Sequence, residues 1–108
     1  MENMREKTEI DKLCSQSGVA PVLLYLLDHE HAILSDFIYD LRMHGATVSR
    51  SLNLLLQLGC VKEERQEYNR RVFTLTNKGR KVAEKLKEIA KIIGPPTLSD
   101  FVEGKINE

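Results

Sequence analysis

The chain has 108 residues, 42% of them hydrophobic, enough for one compact domain and short for two. No apolar run approaches the roughly 18 residues that span a bilayer, and Met1 to Asp11 are charged throughout, unlike a signal peptide, so a cytoplasmic protein with no membrane partner is expected. The net charge is zero, yet residues 1–40 carry −5, residues 41–93 carry +7 and residues 94–108 carry −2, and because local potential attracts phosphates, a nucleic-acid partner stays open.

Residues 1–18 are polar with scattered apolar positions (Met4, Ile10, Leu13) and read as an N-terminal arm or short helix. Pro21 is tolerated in a first helical turn, and Val22 to Leu27 then reads as a buried helix ending in Asp28-His29-Glu30. Its apolar residues cover more than one face, which predicts contact with a second surface as well as the core.

Ala32-Ile33-Leu34 is a brief apolar run, followed by Ser35 as a candidate N-cap and Asp36 as a first-turn acid. A helix from Asp36 to Arg42 follows, with Phe37, Ile38 and Leu41 inward. His44 and Gly45 interrupt it, and Ala46 to Leu58 resumes helical spacing with Val48, Leu52 and Leu55 on one side. The opposite side presents Ser49, Arg50, Asn53 and Gln57, donors and acceptors suited to base edges and phosphates, with no acid among them. Leu54 and Leu56 lie at the margins of the apolar arc and fit either a wide core or a subunit contact.

Gly59 ends this helix. Cys60 to Glu67 and Val72 to Thr76 read as two strands joined by a polar tip, Tyr68-Asn69-Arg70-Arg71. Thr76 caps a long last helix, Asn77 to Ile93, in which Val82, Leu86, Ile89 and Ile93 recur as a coiled-coil-like seam. Pro95 and Pro96 terminate it, and Thr97 to Glu108 can fold back as a short helix through Leu98, Phe101, Val102 and Ile106.

The stretch Thr47-Val48-Ser49-Arg50-Ser51-Leu52, with Leu55 and then Leu58-Gly59-Cys60-Val61, is similar to the recognition helix of MarR-type regulators and the turn into their wing. Leu75-Thr76-Asn77-Lys78-Gly79-Arg80 is similar to the Leu-Thr-x-x-Gly-Arg element that leads from the wing into the last helix. With the order helix, short strand, helix-turn-helix, hairpin and helix, residues 20–93 resemble the winged helix-turn-helix transcriptional regulators. The resemblance is MarR-like, while the short strand after Arg71 is also like PadR-like and compact archaeal or bacterial variants.

This resemblance implies an α+β, mainly α fold: a three-helix core with a β-hairpin wing and a long C-terminal helix. It implies a winged-helix DNA-binding domain over residues 19–76, a dimerisation helix over 77–93 and a tail over 94–108. In such proteins the helix matching residues 46–58 enters the major groove and the wing meets phosphates or the minor groove. Carried over, Thr47 and the amides before it would hold a phosphate, Ser49, Arg50 and Asn53 would face base edges, and Arg70 with Arg71 would serve the wing. A homodimer would form through Val82, Leu86, Ile89 and Ile93.

Catalysis would need a nucleophile with its base, a metal cluster or a phosphate-cradling glycine loop, and none of these patterns occurs, so an enzyme, a cofactor and a metal are not expected. Cys14 and Cys60 lack paired spacing and read as reduced thiols, Cys60 packed inside. His29 and His31 read as exposed polar residues, and His44 in the turn is placed to meet a phosphate when protonated. The expected function is a sequence-specific regulator of double-stranded DNA, with no small-molecule effector named by the sequence. The alternatives are a winged helix used for protein contact and an architectural DNA binder of low sequence preference.

Overall fold

The computed structural model describes residues 8–94, so the expected tail helix lies outside the described residues. Helix α1 (Glu9–Ser15) is closed by a reciprocal cap in which the Thr8 hydroxyl accepts from the Asp11 amide at 3.2 Å and the Asp11 carboxylate accepts from the Thr8 amide at 3.1 Å. Part of the N-terminal arm is therefore a helix. Helix α2 (Val19–Asp28) buries Val19, Val22, Leu23 and Leu26, and Pro21 sits in its first turn as the sequence predicts.

The two-residue strand β1 (Ala32–Ile33) runs without a linker into helix α3 (Leu34–Leu41). Here the expected cap is displaced. Ser35 lies inside the helix, the N-cap position falls on Ile33, and Asp36 reaches back to accept from the Ile33 amide at 3.0 Å. An apolar residue at the cap has no acceptor of its own, so the first-turn acid does both jobs. Helix α4 (Gly45–Gln57) follows after a three-residue turn and buries Val48, Ser51, Leu52 and Leu55.

Strands β2 (Val61–Gln66) and β3 (Arg70–Leu75) form an antiparallel hairpin, joined by a single 3₁₀ turn over Glu67–Asn69. Strand β1 pairs with the outer side of β3, giving a three-stranded sheet in the order β1-β3-β2. Register places Phe73 between Ala32 and Glu63, and Leu75 opposite Val61, so one face of the sheet closes the core. Arg70 and Arg71 belong to the strand and not to the tip, because pairing runs on to Gln66 opposite Arg70.

Helix α5 (Asn77–Ile93) has the predicted bounds, with the Thr76 hydroxyl accepting from the Gly79 amide at 3.0 Å. Its start is clamped to the end of α4. The Thr76 hydroxyl donates to the Gly59 carbonyl at 2.6 Å, the Thr76 amide donates to the Cys60 carbonyl at 3.0 Å, and the Lys78 ammonium donates to the Leu58 carbonyl at 2.6 Å. A methyl group at position 79 would collide with the Cys60 backbone, so only glycine lets helix and loop approach this closely. The Leu-Thr-x-x-Gly element is thus a splice between wing and last helix.

One hydrophobic core joins all these elements, with Leu23, Leu26, Phe37, Leu52, Leu55 and Phe73 fully enclosed. Phe37 meets Phe73 edge-on at 6.3 Å between ring centres and Tyr25 at 5.3 Å. Leu54 and Leu56 pack against this core, which is the wide-core reading of the α4 arc. Among the described residues, no helix is long and apolar enough to cross a membrane.

Candidate nucleic-acid interface

The site begins with how α4 is held. Arg42 ends α3 in a left-handed conformation (φ 55°), the Met43 amide donates to the Ile38 carbonyl at 3.1 Å, and His44 is the extended residue before α4. Deeper in, Ser51 is fully buried, its hydroxyl 2.8 Å from the Ser17 carbonyl and 2.9 Å from the Thr47 carbonyl. It bolts α4 to the loop before α2. Gly18 in that loop has φ +94°, and a side chain there would strike Met43 and Ser51, so the turn and the helix close on a glycine.

With its apolar side fixed, α4 turns Ala46, Arg50, Asn53 and Gln57 outward, a stripe at helical spacing that carries one cation and no anion. Thr47 and Ser49 are half-buried at the margins. The first turn of α4 has neither an acid nor a side-chain cap, which leaves its leading amides without an intrahelical partner at the positive end of the helix dipole. Arg42, His44 and Thr47 line a shallow depression at that end. The helix therefore offers hydrogen-bonding side chains along its flank and free donors at its tip.

The wing distributes its two predicted arginines differently. Arg71 forms a two-pronged pair with Glu63, Nε to Oε2 at 2.9 Å and Nη2 to Oε1 at 3.0 Å, and its guanidinium lies 5.1 Å from the Phe73 ring centre. The hydrogen bond from Arg71 holds the Glu63 carboxyl below its ordinary range, and the same contact raises the Arg71 guanidinium. Arg65 stands 3.6 Å from the same carboxylate. Arg70 is exposed and has no ion-pair partner among the described residues. One wing arginine is held within the sheet and the other is free for a ligand.

The predicted seam on α5 is also divided. Val82 and Leu86 pack partly against the core, whereas Ile89 is 50% and Ile93 77% exposed, with Ile92 85% exposed beside them. An apolar groove runs between α1 and α5, lined by Ile10, Leu13, Val82, Leu86 and Ile89 and bordered by Lys81 and Lys85. Helix α2 packs against α5 and α4 with Ala20 and Pro21 exposed and Leu24 half-buried, while exposed large aliphatic residues lie on α1 and α5, at Ile10, Ile89, Ile92 and Ile93.

Cys60 is buried and desolvation pushes its thiol up, partly offset by Lys78, while Cys14 is exposed. His29 stacks on Tyr25 at 4.0 Å, and the Tyr25 hydroxyl donates to Asp40 at 2.6 Å, which pushes that phenol up to about 12. Among the described residues no His, Cys, Asp or Glu cluster could hold a metal ion. Ser51, Gly18 and Glu63 were not singled out in the sequence. A serine on the buried side of an amphipathic helix was the available signal for the first, and an acid two residues from a strand's apolar start for the last.

These elements define a winged helix-turn-helix: a helix bolted into a turn, an antiparallel wing beside it and a long helix leaving the wing. The chain has the winged-helix fold, in the form that MarR regulators share. Lactococcus lactis ZitR is similar in structure with a TM-score of 0.67 and 20% identity over 97% of this chain and 68% of that one. A MarR transcriptional regulator from Methanosarcina mazei Go1 aligns with a TM-score of 0.63 and 24% identity, covering 79% of this chain and 66% of that one. SSV1 F-93 is 33% identical, with a TM-score of 0.57 over 69% of this chain and 87% of its own. No protein-family model and no curated protein sequence matches the chain.

Proposed function

We propose that this chain is a homodimeric transcriptional regulator that binds double-stranded DNA in a sequence-specific way. The observation that carries the proposal is the outward stripe of α4, free of acids, continuous with an uncapped helix N-terminus flanked by Arg42 and His44. In this reading α4 enters the major groove, where Arg50 pairs with guanine and Asn53 with adenine, and Ser49 adds a shorter contact from the margin. Thr47 and the leading amides of α4 hold a phosphate. Arg70 meets the backbone at the wing, and Arg71 acts through the sheet by fixing Glu63 and Phe73. The M. mazei protein is a transcriptional regulator by its own description, which supports the same class here.

Dimerisation is assigned to α5 and α1. Exposed Ile89, Ile92 and Ile93 continue from the half-packed Val82 and Leu86, and an apolar surface of this kind is what a second copy would cover. Two copies would present two α4 helices to paired half-sites. Selection of bound duplexes from a random pool tests the proposal: a regulator enriches one motif, at least about 1,000-fold over bulk DNA. A flat pool with tight binding would leave an architectural DNA coater, and no binding would leave a protein-contact module.

A further inference from the structure

The groove between α1 and α5 is walled on one side by a helix too short to hold itself. Helix α1 has 7 residues and none of them is buried. A helix of that length is marginal in water, so its stability has to come from what packs against its apolar side. Among the described residues α1 meets α2 and α4, and its Ile10 is still 70% exposed. The groove, about 380 Å³ in volume, is floored by Leu13, Val82, Leu86 and Ile89 and rimmed by Lys81 and Lys85. Lys85 stands 3.8 Å from Glu88, while Lys81 is exposed and has no ion-pair partner among the described residues. Such a groove selects an occupant that is apolar along one side and carries acids beside it.

We propose that the chain's own tail, Thr97 to Glu108, folds back into this groove and competes there with the second copy proposed above. The competition rests on that dimer reading; the docking does not. The tail repeats Leu98, Phe101, Val102 and Ile106 at helical spacing, and its charged residues, Asp100, Glu103, Lys105 and Glu108, sum to −2. That pattern is the complement of an apolar floor rimmed by lysines. The connection keeps the contact within one chain. Helix α5 ends at Ile93, Gly94 leaves it with φ 75°, and Pro95 and Pro96 prevent its continuation. A chain that doubles back from there passes Ile93, Ile89, Leu86 and Val82 in turn, which share one face of α5. At ~1.5 Å per residue, a helix over residues 97–108 runs about 18 Å, and Ile93 stands about 17 Å along α5 from Val82, so the tail matches the groove's length. A short tether holds a segment at an effective concentration in the millimolar range, so a second copy at micromolar concentration has to displace it.

The test uses the full chain, diluted until sedimentation shows a monomer, and reads hydrogen exchange at the α1 amides; the dimer dissociation constant is measured separately. Phe101→Ser removes apolar surface from the tail without altering residues 8–94. It is expected to speed α1 exchange by about tenfold, the effect of uncovering one large aromatic side chain, and to tighten the dimer. Lys81→Glu reverses the unpaired rim charge and is expected to speed the same exchange by about threefold at low salt, an effect that fades at high salt. Exchange in monomeric Phe101→Ser equal to that of the parent would overturn the proposal. A weaker dimer in Phe101→Ser would overturn it as well, by placing the tail in the contact between copies. A parent that stays monomeric at every concentration would remove the homodimer reading alone, and the exchange measurement would still decide for or against the docked tail.

Discussion

At the scale of single residues, two contacts shape the wing and its junction with α5. Gly79 sits against the Cys60 backbone with no room for a methyl, so Gly79→Ala must either part α5 from the wing or shift the Cys60 loop. We expect a loss of at least about 2 kcal/mol in urea unfolding; a variant within experimental error of the parent would show that the splice is slack. The Glu63–Arg71 pair is testable by pH. Because the folded-state carboxyl is held below its ordinary value of 4.5, its contribution is fully present above that value and is lost as pH falls through the depressed one. Arg71 is 40% exposed, so screening keeps the pair to no more than about 1 kcal/mol. The stability gap between the parent and Glu63→Gln should therefore hold steady from neutral pH to about 5 and close below it. A gap that widened on acidification would reject the assignment.

At the scale of elements, the division of labour between helix and wing predicts two kinds of binding defect. Arg50→Ala on α4 should cost about 1–3 kcal/mol and relax preference at one base pair, whereas Arg70→Ala on the wing should weaken all duplexes alike and flatten the salt slope by about one. Competition binding against a set of single-base variants separates them, and identical profiles for both would refute the division. How far these elements could be read beforehand follows from how local their causes are. Helix α5 was legible to its end residues, since Thr76 caps it and the apolar spacing is helical throughout. The inward side of α4 was legible for the same reason. The α3 cap was not, because β1 feeds directly into the helix and the acceptor comes from Asp36 inside it. Arg70 and Arg71 were placed in the tip because polar residues at a ribbon's end resemble a turn, and only cross-strand register with Arg65 and Gln66 shows them to be strand. The Glu63–Arg71 pair depends on that same register, which no local pattern encodes.

At the scale of the whole molecule, a basic segment, the uncapped helix α4 and an apolar groove between α1 and α5 together support the proposed dimeric DNA reader. The groove makes the assembly testable by itself. Replacing exposed Ile89 and Ile93 by aspartate should convert a micromolar dimer into a monomer in sedimentation with the fold intact, since neither side chain is enclosed; a parent that is already monomeric would remove the two-copy arrangement. The claim on which everything else rests is that residues 41–93 carry a surface for nucleic-acid phosphates despite a net charge of zero. Its most direct measurement is the affinity of the parent chain for one duplex over a range of salt concentrations. A straight fall of log affinity against log salt is expected, with a slope corresponding to several released counterions per dimer. Affinity that is absent at low salt, or present and indifferent to salt, would contradict it.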